Sequence, residues 1–302
     1  MHQTTLILTF LLILSACDSG QQSAAPTGNE ASLQTAPAAT TTNVLQGILA
    51  SQPEAVQARY SARHPQETLT FFGIVPGMTV IEALPGSGWY SKLLLPLLGE
   101  QGQLIGAGYD LEILALFGFY DAARLAELAQ WKNEWPAEAT AWDETQGASV
   151  SAFYFGNLPQ ALHGTADAVL FIRALHNMAR FSETKDFLGS AIENAFQALK
   201  PGGIVGIVQH AAPADMPTTW ANGARGYLHE TFVIEQMQAA GFEFVGSSDI
   251  NANARDVPGA DDVVWRLPPV LNGSKDNAEL AATMREIGES NRMTLKFRKP
   301  SA

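Results

Sequence analysis

The stretch Val80-Ile81-Glu82-Ala83-Leu84-Pro85-Gly86-Ser87-Gly88 decides the fold of this chain. An apolar, β-branched run over Met78–Leu84 predicts a strand, and Pro85–Gly88 predicts a tight turn. Helical spacing over Trp89–Leu98 follows at once. Glycines in such a turn allow positive φ and close approach of a ligand, and the free N–H groups that open the helix suit a carboxylate or phosphate. The stretch therefore predicts a strand–turn–helix unit with a candidate ligand site at the turn.

Two familiar uses of glycine-rich turns are excluded here. A dinucleotide fingerprint needs a third glycine at position 91, which is Ser91. A hydrolase nucleophile elbow around Ser87 needs a glycine at position 85, which is Pro85. A purely structural turn stays open as the alternative to a ligand site.

The rest of the chain alternates strand and helix signals. Further strands are predicted over Gln103–Ala107, Val150–Phe155, Ala168–Ile172 and Ile204–Val208, with a sixth beginning at Phe242–Val245. Helices are predicted over Leu111–Trp131, from a Ser182 cap to a stop at Lys200–Gly203, and over Glu230–Ala240. Met293–Phe297 alternates like an antiparallel edge strand. This order predicts an α/β fold with a doubly wound, mainly parallel sheet covered on both faces.

Composition and net charge limit the kinds of ligand and partner that the chain can bind. The chain has 302 residues, a net charge of −12 and one cysteine, Cys17. An acidic chain releases no counterions along a nucleic-acid backbone, so we expect no nucleic-acid partner and attribute the acidity to solubility. A lone cysteine excludes an intramolecular disulfide and a cysteine-based metal site. His229-Glu230 lacks the second histidine of a zinc motif, so no metal is predicted.

The N-terminus predicts export. The apolar run Leu6–Leu14 spans roughly 14 Å as a helix, about half a hydrocarbon core, which is typical of a signal peptide. Leu14-Ser15-Ala16-Cys17 resembles the bacterial lipobox, which implies cleavage after residue 16 and lipidation of Cys17. An ordinary cleavable signal with an incidental cysteine is the alternative. Asp18 resembles an inner-membrane retention signal, so a periplasm-facing anchor on that membrane is expected.

The polypeptide after the signal divides into two parts by composition. Residues 17–43 contain almost no large apolar side chain and predict a disordered tether. Residues 44–302 predict the folded domain.

The motifs resemble those of class I S-adenosylmethionine-dependent methyltransferases. Glu82…Gly86-x-Gly88 looks like their motif I, and Leu199–Gly203 looks like their late Leu-Lys-Pro-Gly-Gly turn. More narrowly, the chain is similar to a family of exported predicted methyltransferases. The matching stretches are Thr68–Ile74, Pro85–Tyr90, Arg173–Asn177 and Ile287–Phe297. The resemblance implies a seven-stranded Rossmann-like sheet with an antiparallel last strand, preceded by an insertion over 251–292 that forms a lid or substrate wall.

The resemblance also implies the residues that bind S-adenosylmethionine. Pro85, Gly86 and Gly88 would pass the methionine part along the backbone, and Glu82 would orient its amino group or a bound water. The carboxylate expected after strand two for the ribose is replaced by Gly108, and Asp110 is the nearest substitute, followed by Glu112. Asn157 occupies the position that contacts the adenine edge.

The candidate catalytic residues follow two strands. Arg173 and His176 follow strand four and His210 follows strand five, so all three are expected to line one crevice. A neutral histidine can take a proton from an acceptor, although each ring could instead serve as a cap or loop partner. Arg173 could bind a substrate anion, or pair with Asp167 or Glu82. Two functions remain: methyl transfer to a small molecule, or ligand binding without catalysis on the same scaffold.

Overall fold

Seven strands form one sheet in the order β3-β2-β1-β4-β5-β7-β6 within the described residues of the computed structural model, 35–143 and 147–301. The strands are β1 Thr79–Ala83, β2 Gln103–Gly108, β3 Ser149–Tyr154, β4 Ala166–Ile172, β5 Leu199–His210, β6 Glu243–Ser248 and β7 Arg292–Arg298. Pairing is parallel from β3 to β5, and β7 is antiparallel to both of its neighbours. The predicted fold class, a mostly parallel seven-stranded sheet with an antiparallel last strand, is confirmed.

The last strand is antiparallel, as predicted. It does not lie at the edge of the sheet, where the sequence pattern predicted it. Strand β7 lies between β5 and β6, and Leu295 and Phe297 are fully buried. Its polar positions are satisfied locally, since Thr294 accepts a hydrogen bond from Asn251 (3.0 Å) and Lys296 donates to the Phe71 carbonyl (3.0 Å). A strand can alternate and still be central when its polar side chains find partners.

Helices cover both faces of the sheet, as predicted. They are α1 Thr35–Ser51, α2 Glu54–Gln57, α3 Tyr60–Arg63, α4 Pro65–Phe72, α5 Ser91–Leu98, α6 Leu111–Leu116, α7 Ala122–Leu128, α8 Trp131–Thr140, α9 Leu175–Ala179, α10 Phe187–Ala198, α11 Glu230–Ala239 and α12 Ala278–Ile287. Successive strand residues enter different cores: Val80 packs with α1, α4, α5 and α8, while Ile81 packs with α9, α10 and α11. The sheet is thus buried on both sides, and ligands have access at the strand ends.

Two helix boundaries differ from the sequence prediction. The single helix predicted over Leu111–Trp131 is three helices, because Gly118 adopts φ +77° and Asp121 caps a new helix by accepting from the Arg124 N–H (2.7 Å). The cap of α10 is Asp186, which accepts from the Gly189 N–H (2.8 Å), and not Ser182.

The chain divides into two compact units, residues 1–38 and 39–302, and the first is described only over 35–38. The predicted signal peptide and Cys17 lie outside the described residues. The predicted tether over 17–43 is helical from Thr35, because α1 continues back from Leu45 and Leu49, which are buried one turn apart. In the part of the chain that is described, no helix is long and apolar enough to cross a membrane.

The predicted insertion over 251–292 contains one short 3₁₀ turn, Val264–Arg266, and the helix α12. A buried ion pair fixes it: Arg266 donates to Asp256 (2.9 Å), and the Tyr227 hydroxyl donates to the same carboxylate (3.0 Å). Tyr227 belongs to the segment that follows β5, where it also stacks on Trp220 (5.3 Å between ring centroids). Its hydrogen bond to Asp256 therefore links the insertion to that segment.

Candidate active site

A cavity of about 410 Å³ opens at the carboxyl ends of β1, β4 and β5. Six of the sequence-predicted site residues line it: Glu82, Pro85, Gly86, Arg173, His176 and His210. The insertion supplies part of its wall, including Val264, Trp265 and Leu267. The cavity lies in the size range of small-molecule sites, so the predicted crevice exists and brings the turn and both histidines together.

The turn after β1 places its two glycines in different surroundings. Gly86 has φ +57° and lines the cavity, and a Cβ added there would meet nothing closer than the Leu84 carbonyl at 3.9 Å. Gly88 has φ +73°, and a Cβ there would lie 2.0 Å from the Trp142 ring. Gly86 therefore presents open backbone to a ligand. Gly88 does not line the cavity and packs closely against the Trp142 ring, so its cofactor contact stays a prediction.

Glu82 is a buried carboxyl at the end of β1. It is 3% exposed and accepts a hydrogen bond from the Ser91 hydroxyl (2.6 Å). Burial raises its pKa to about 8, although the Ser91 bond opposes this shift. The group is therefore mostly protonated near neutral pH, and a cationic ligand in the cavity would favour its carboxylate form.

We expect this pKa to make stability fall with rising pH. A carboxyl whose pKa is raised in the folded state contributes stability that is complete below its unfolded pKa and is lost as pH rises through about 8. Between pH 6.5 and 7.5 this carboxyl should lower the free energy of unfolding by about 1.2 kcal/mol, and the slope should halve near pH 8, where the folded-state group is half ionised. Glu82→Gln should abolish this slope in chemical denaturation. The matched control is Glu193→Gln on the exposed side of α10, and equal slopes in all three proteins would contradict the assignment.

The ribose-side residues lie outside the cavity. A Cβ at Gly108 would lie 2.7 Å from the Trp131 ring and 2.9 Å from Tyr154, so aromatic packing occupies the position where the resemblance implies a carboxylate. Asp110 caps α6 through the Glu112 N–H (2.9 Å) and pairs with Lys185 (2.9 Å). Its role in cofactor binding stays a prediction.

Two further residues follow strands near Asp110, and only one of them lines the cavity. Asn157 is exposed in the turn after β3 and does not line the cavity, so its adenine contact also stays a prediction. Tyr109, which the sequence analysis missed, does line the cavity and packs edge-on against Phe117 (5.6 Å). Its position between Gly108 and Asp110 is the signal that could have found it.

The two histidines face each other with ring centroids 5.3 Å apart. His176 Nδ1 lies 3.2 Å from the Gln209 side-chain oxygen, and Gln209 uses its amide nitrogen to donate to the Gly226 carbonyl (2.9 Å). With that assignment His176 carries its proton on Nδ1, and its Nε2 is an acceptor. His210 Nδ1 lies 2.5 Å from the Ser290 hydroxyl.

Both histidines are neutral near pH 7. Burial lowers the pKa of His176 to about 4, with a further decrease from the Arg173 guanidinium. Burial, His176 and Arg173 lower the pKa of His210 well below its usual value. A neutral imidazole in a cavity is able to accept a proton over the physiological range.

Arg173 directly follows β4 and has φ +58°, a strained conformation for a residue with a side chain. Neither pairing that the sequence left open occurs: Asp167 pairs with Lys200 (2.6 Å), and Glu82 is bonded to Ser91. Burial and the Arg292 guanidinium lower the pKa of Arg173. Arg173 therefore faces the cavity without a carboxylate partner among the described residues.

A group of charged residues that the sequence did not predict lies in the same cavity. Arg59 and Arg63 enter it from the N-terminal helices, and Glu289 enters it from the segment before β7. Glu289 forms ion pairs with Arg59, Arg63 (3.5 Å) and Arg292 (3.3 Å). Two arginines four residues apart in an acidic chain were the available signal.

Metal ligation has no candidate in the described residues, since no three His, Cys, Asp or Glu side chains are grouped as a metal site would need.

Neither a protein-family model nor a curated protein matches the chain. Among solved structures, the chain is similar to the cyclase SpnF at 18% identity, with 80% of this chain and 81% of that chain covered and a TM-score of 0.49. It is similar to a SAM-dependent methyltransferase from Aquifex aeolicus at 16% identity, covering 68% and 93%, with a TM-score of 0.44. It is also similar to the 1,6-didemethyltoxoflavin-N1-methyltransferase of Burkholderia thailandensis at 14% identity, covering 92% and 93%, with a TM-score of 0.44.

Proposed function

We propose that this chain transfers a methyl group from S-adenosylmethionine to a small-molecule acceptor. One observation carries the proposal: the open glycine turn after β1 and two neutral histidines line the same cavity at the strand ends. Strand ends beside the reversal of strand order are where α/β sheets of this kind bind ligands. The chemistry then needs only a positioned nucleophile and a base.

The residues of the turn fit this cofactor. Gly86 leaves the backbone open on the cavity side, where a larger residue would place its side chain. Glu82 is available to accept from the ammonium group of the methionine part, because its carboxyl lies beside the turn and ionises when a cation approaches. The cofactor supplies an electrophilic methyl group on a sulfonium when it is bound.

The two histidines are the proposed bases for the acceptor. A hydroxyl, thiol or amine of the acceptor forms a bond to the methyl carbon, the bond from sulfur to that carbon breaks, and sulfur keeps the electron pair as a thioether. The proton of the acceptor passes to His210, with His176 as the alternative base. The insertion residues Trp265 and Leu267 close the cavity beside them and limit access of water.

A second candidate is ligand binding without catalysis. It is favoured by the ribose side, where aromatic packing replaces the carboxylate at Gly108 and Asp110 is paired with Lys185. Calorimetry of the purified protein with S-adenosylhomocysteine separates the candidates at their first step. Saturable binding supports the methyltransferase proposal, and no binding at millimolar concentration leaves the second candidate in its place.

We also propose that the chain is an exported lipoprotein, anchored through Cys17 and facing the periplasm at the inner membrane. The support is Leu14-Ser15-Ala16-Cys17 behind a short apolar run, followed by Asp18. Cys17→Ser should abolish labelling by a radioactive fatty acid and leave the precursor uncleaved. Ser19→Ala is the matched control and should be labelled and cleaved normally. A soluble wild-type protein cleaved at another site would refute the anchor.

A further inference from the structure

Three arginines and one carboxylate line the same cavity, and a fourth arginine, Arg292, pairs with that carboxylate without lining the cavity. Glu289 is the partner of Arg59, Arg63 and Arg292, so one carboxylate serves three guanidinium groups. Arg173 has no ion-pair partner among the described residues and lines the cavity with Arg59 and Arg63. The cluster therefore carries excess positive charge in a chain whose net charge is −12.

Two side-chain nitrogens of Arg63 make no hydrogen bond. Its side chain is 3% exposed, and its Nε and Nη1 have no hydrogen-bond partner. Its guanidinium lies 4.4 Å from the centre of the Trp89 ring, which fixes its plane. Buried charged donors without acceptors are costly, and a planar guanidinium matches carboxylate or phosphate oxygens in pairs. These two nitrogens are covered by protein atoms, and Nε lies 3.5 Å from the Glu289 carboxylate, so Arg63 would meet a ligand through the rest of its guanidinium, which lines the cavity.

The neighbouring groups do not supply the negative charge. In the proposed complex the Glu82 carboxylate is matched by the ammonium group of the cofactor, so it does not neutralise an arginine. Burial lowers the pKa of both His176 and His210, so these rings add neither sign of charge. S-adenosylmethionine carries an ammonium, a sulfonium and one carboxylate, so together with an ionised Glu82 it adds no net charge that could offset the arginines. The remaining ligand, the acceptor, has to offset the arginines.

We propose that the acceptor carries a carboxylate or phosphate group, and that Arg63 and Arg173 bind it. The inference rests on the proposed methyl transfer. Arg173 directly follows β4, three residues before His176, so it would hold the anion on the histidine side of the cavity. The apolar wall formed by Val264, Trp265 and Leu267 would take the body of the acceptor. Arg173 and Arg63 are thus binding residues that select acidic small molecules.

The test compares matched acidic and neutral ligands on the full chain loaded with S-adenosylhomocysteine. Calorimetry with 4-hydroxybenzoate and 4-hydroxyphenyl phosphate probes the two anion types, and 4-hydroxybenzamide is the neutral control. At least one acid should bind about tenfold or more tightly than the amide. Arg63→Gln and Arg173→Asn should each remove that preference while changing S-adenosylhomocysteine affinity by less than about threefold. Asparagine is chosen because it tolerates the positive φ at position 173.

Arg180→Gln is the matched control, since Arg180 stacks on Phe181 (4.9 Å) outside the cavity lining. It should keep the acid preference. Equal binding of acids and amide, or no binding of either acid, overturns the proposal. Displacement of S-adenosylhomocysteine by the acids also overturns it, because the arginines would then bind the cofactor's carboxylate. If S-adenosylhomocysteine itself does not bind, the methyltransferase proposal fails, and the same titrations on the unloaded chain still decide whether the arginines bind acids.

Discussion

His210→Ala should lower methyl-transfer turnover by roughly 10²–10⁴-fold while leaving cofactor affinity nearly unchanged, because it removes a general base and no cofactor contact. His210 ends β5 inside the cavity, and its pKa is lowered by burial, by His176 and by the arginines Arg173, Arg292 and Arg63, so the ring is neutral when it meets the acceptor. The assay needs an acceptor, found by screening phenols, thiols and amines with labelled S-adenosylmethionine. Acidic members of the screen come first, since the arginines favour them.

The pH profile distinguishes a base from a structural side chain. A histidine with its usual pKa would lose activity as pH falls through about 6.5. Burial lowers the pKa of His176 to about 4 and moves that of His210 in the same direction, so the acid limb of turnover at saturating cofactor should lie well below pH 6.5. His210→Ala should remove this limb, and His176→Ala should keep it but move it to higher pH, because His176 is one of the groups that lower the pKa of His210. If the two variants behave the other way round, His176 is the base and His210 only supports it.

The features that could be predicted are those set by residues close together in the sequence. The strand, turn and helix around Gly86 follow from local apolar spacing and from glycine, and they occur where expected. The histidines after β4 and β5 were also predictable, because parallel strands end at one edge of the sheet. Strand β7 was predicted as antiparallel but not as central, since the pattern of one strand does not show which strands flank it.

The arginine cluster could not be predicted by such reasoning. Arg63 and Glu289 are separated by more than two hundred residues, and their contact depends on how α3 and the segment before β7 pack. The surroundings of Gly108 and Gly88 are equally non-local, because the rings that fill the space beside them come from Trp131 and Trp142. In each case a sequence motif identified the residue, but the role depends on a distant partner.

Gly88→Ala should destabilise the fold by about 2–4 kcal/mol, although a motif-based reading assigns Gly88 to the cofactor. The new methyl group would lie 2.0 Å from the Trp142 ring, and the residue would keep φ +73°, which alanine adopts poorly. Trp142 has little freedom to move, since its ring packs edge-on against Trp135 (6.3 Å) and lies under the Lys92 ammonium (4.8 Å). Thermal and chemical denaturation of the purified variant measure the loss.

Gly86→Ala is the matched control, two residues away in the same turn with a similar φ of +57°. Its Cβ would meet nothing closer than 3.9 Å, so it should cost only the backbone strain, about 1 kcal/mol, and its main effect should be weaker binding of S-adenosylhomocysteine. In the Trp142→Ala background, Gly88→Ala should cost less stability than it does in the wild-type protein, because the clashing ring is gone. If Gly88→Ala instead folds normally and loses only cofactor affinity, Gly88 contacts the ligand directly, and Trp142 must move away from the turn when the cofactor binds.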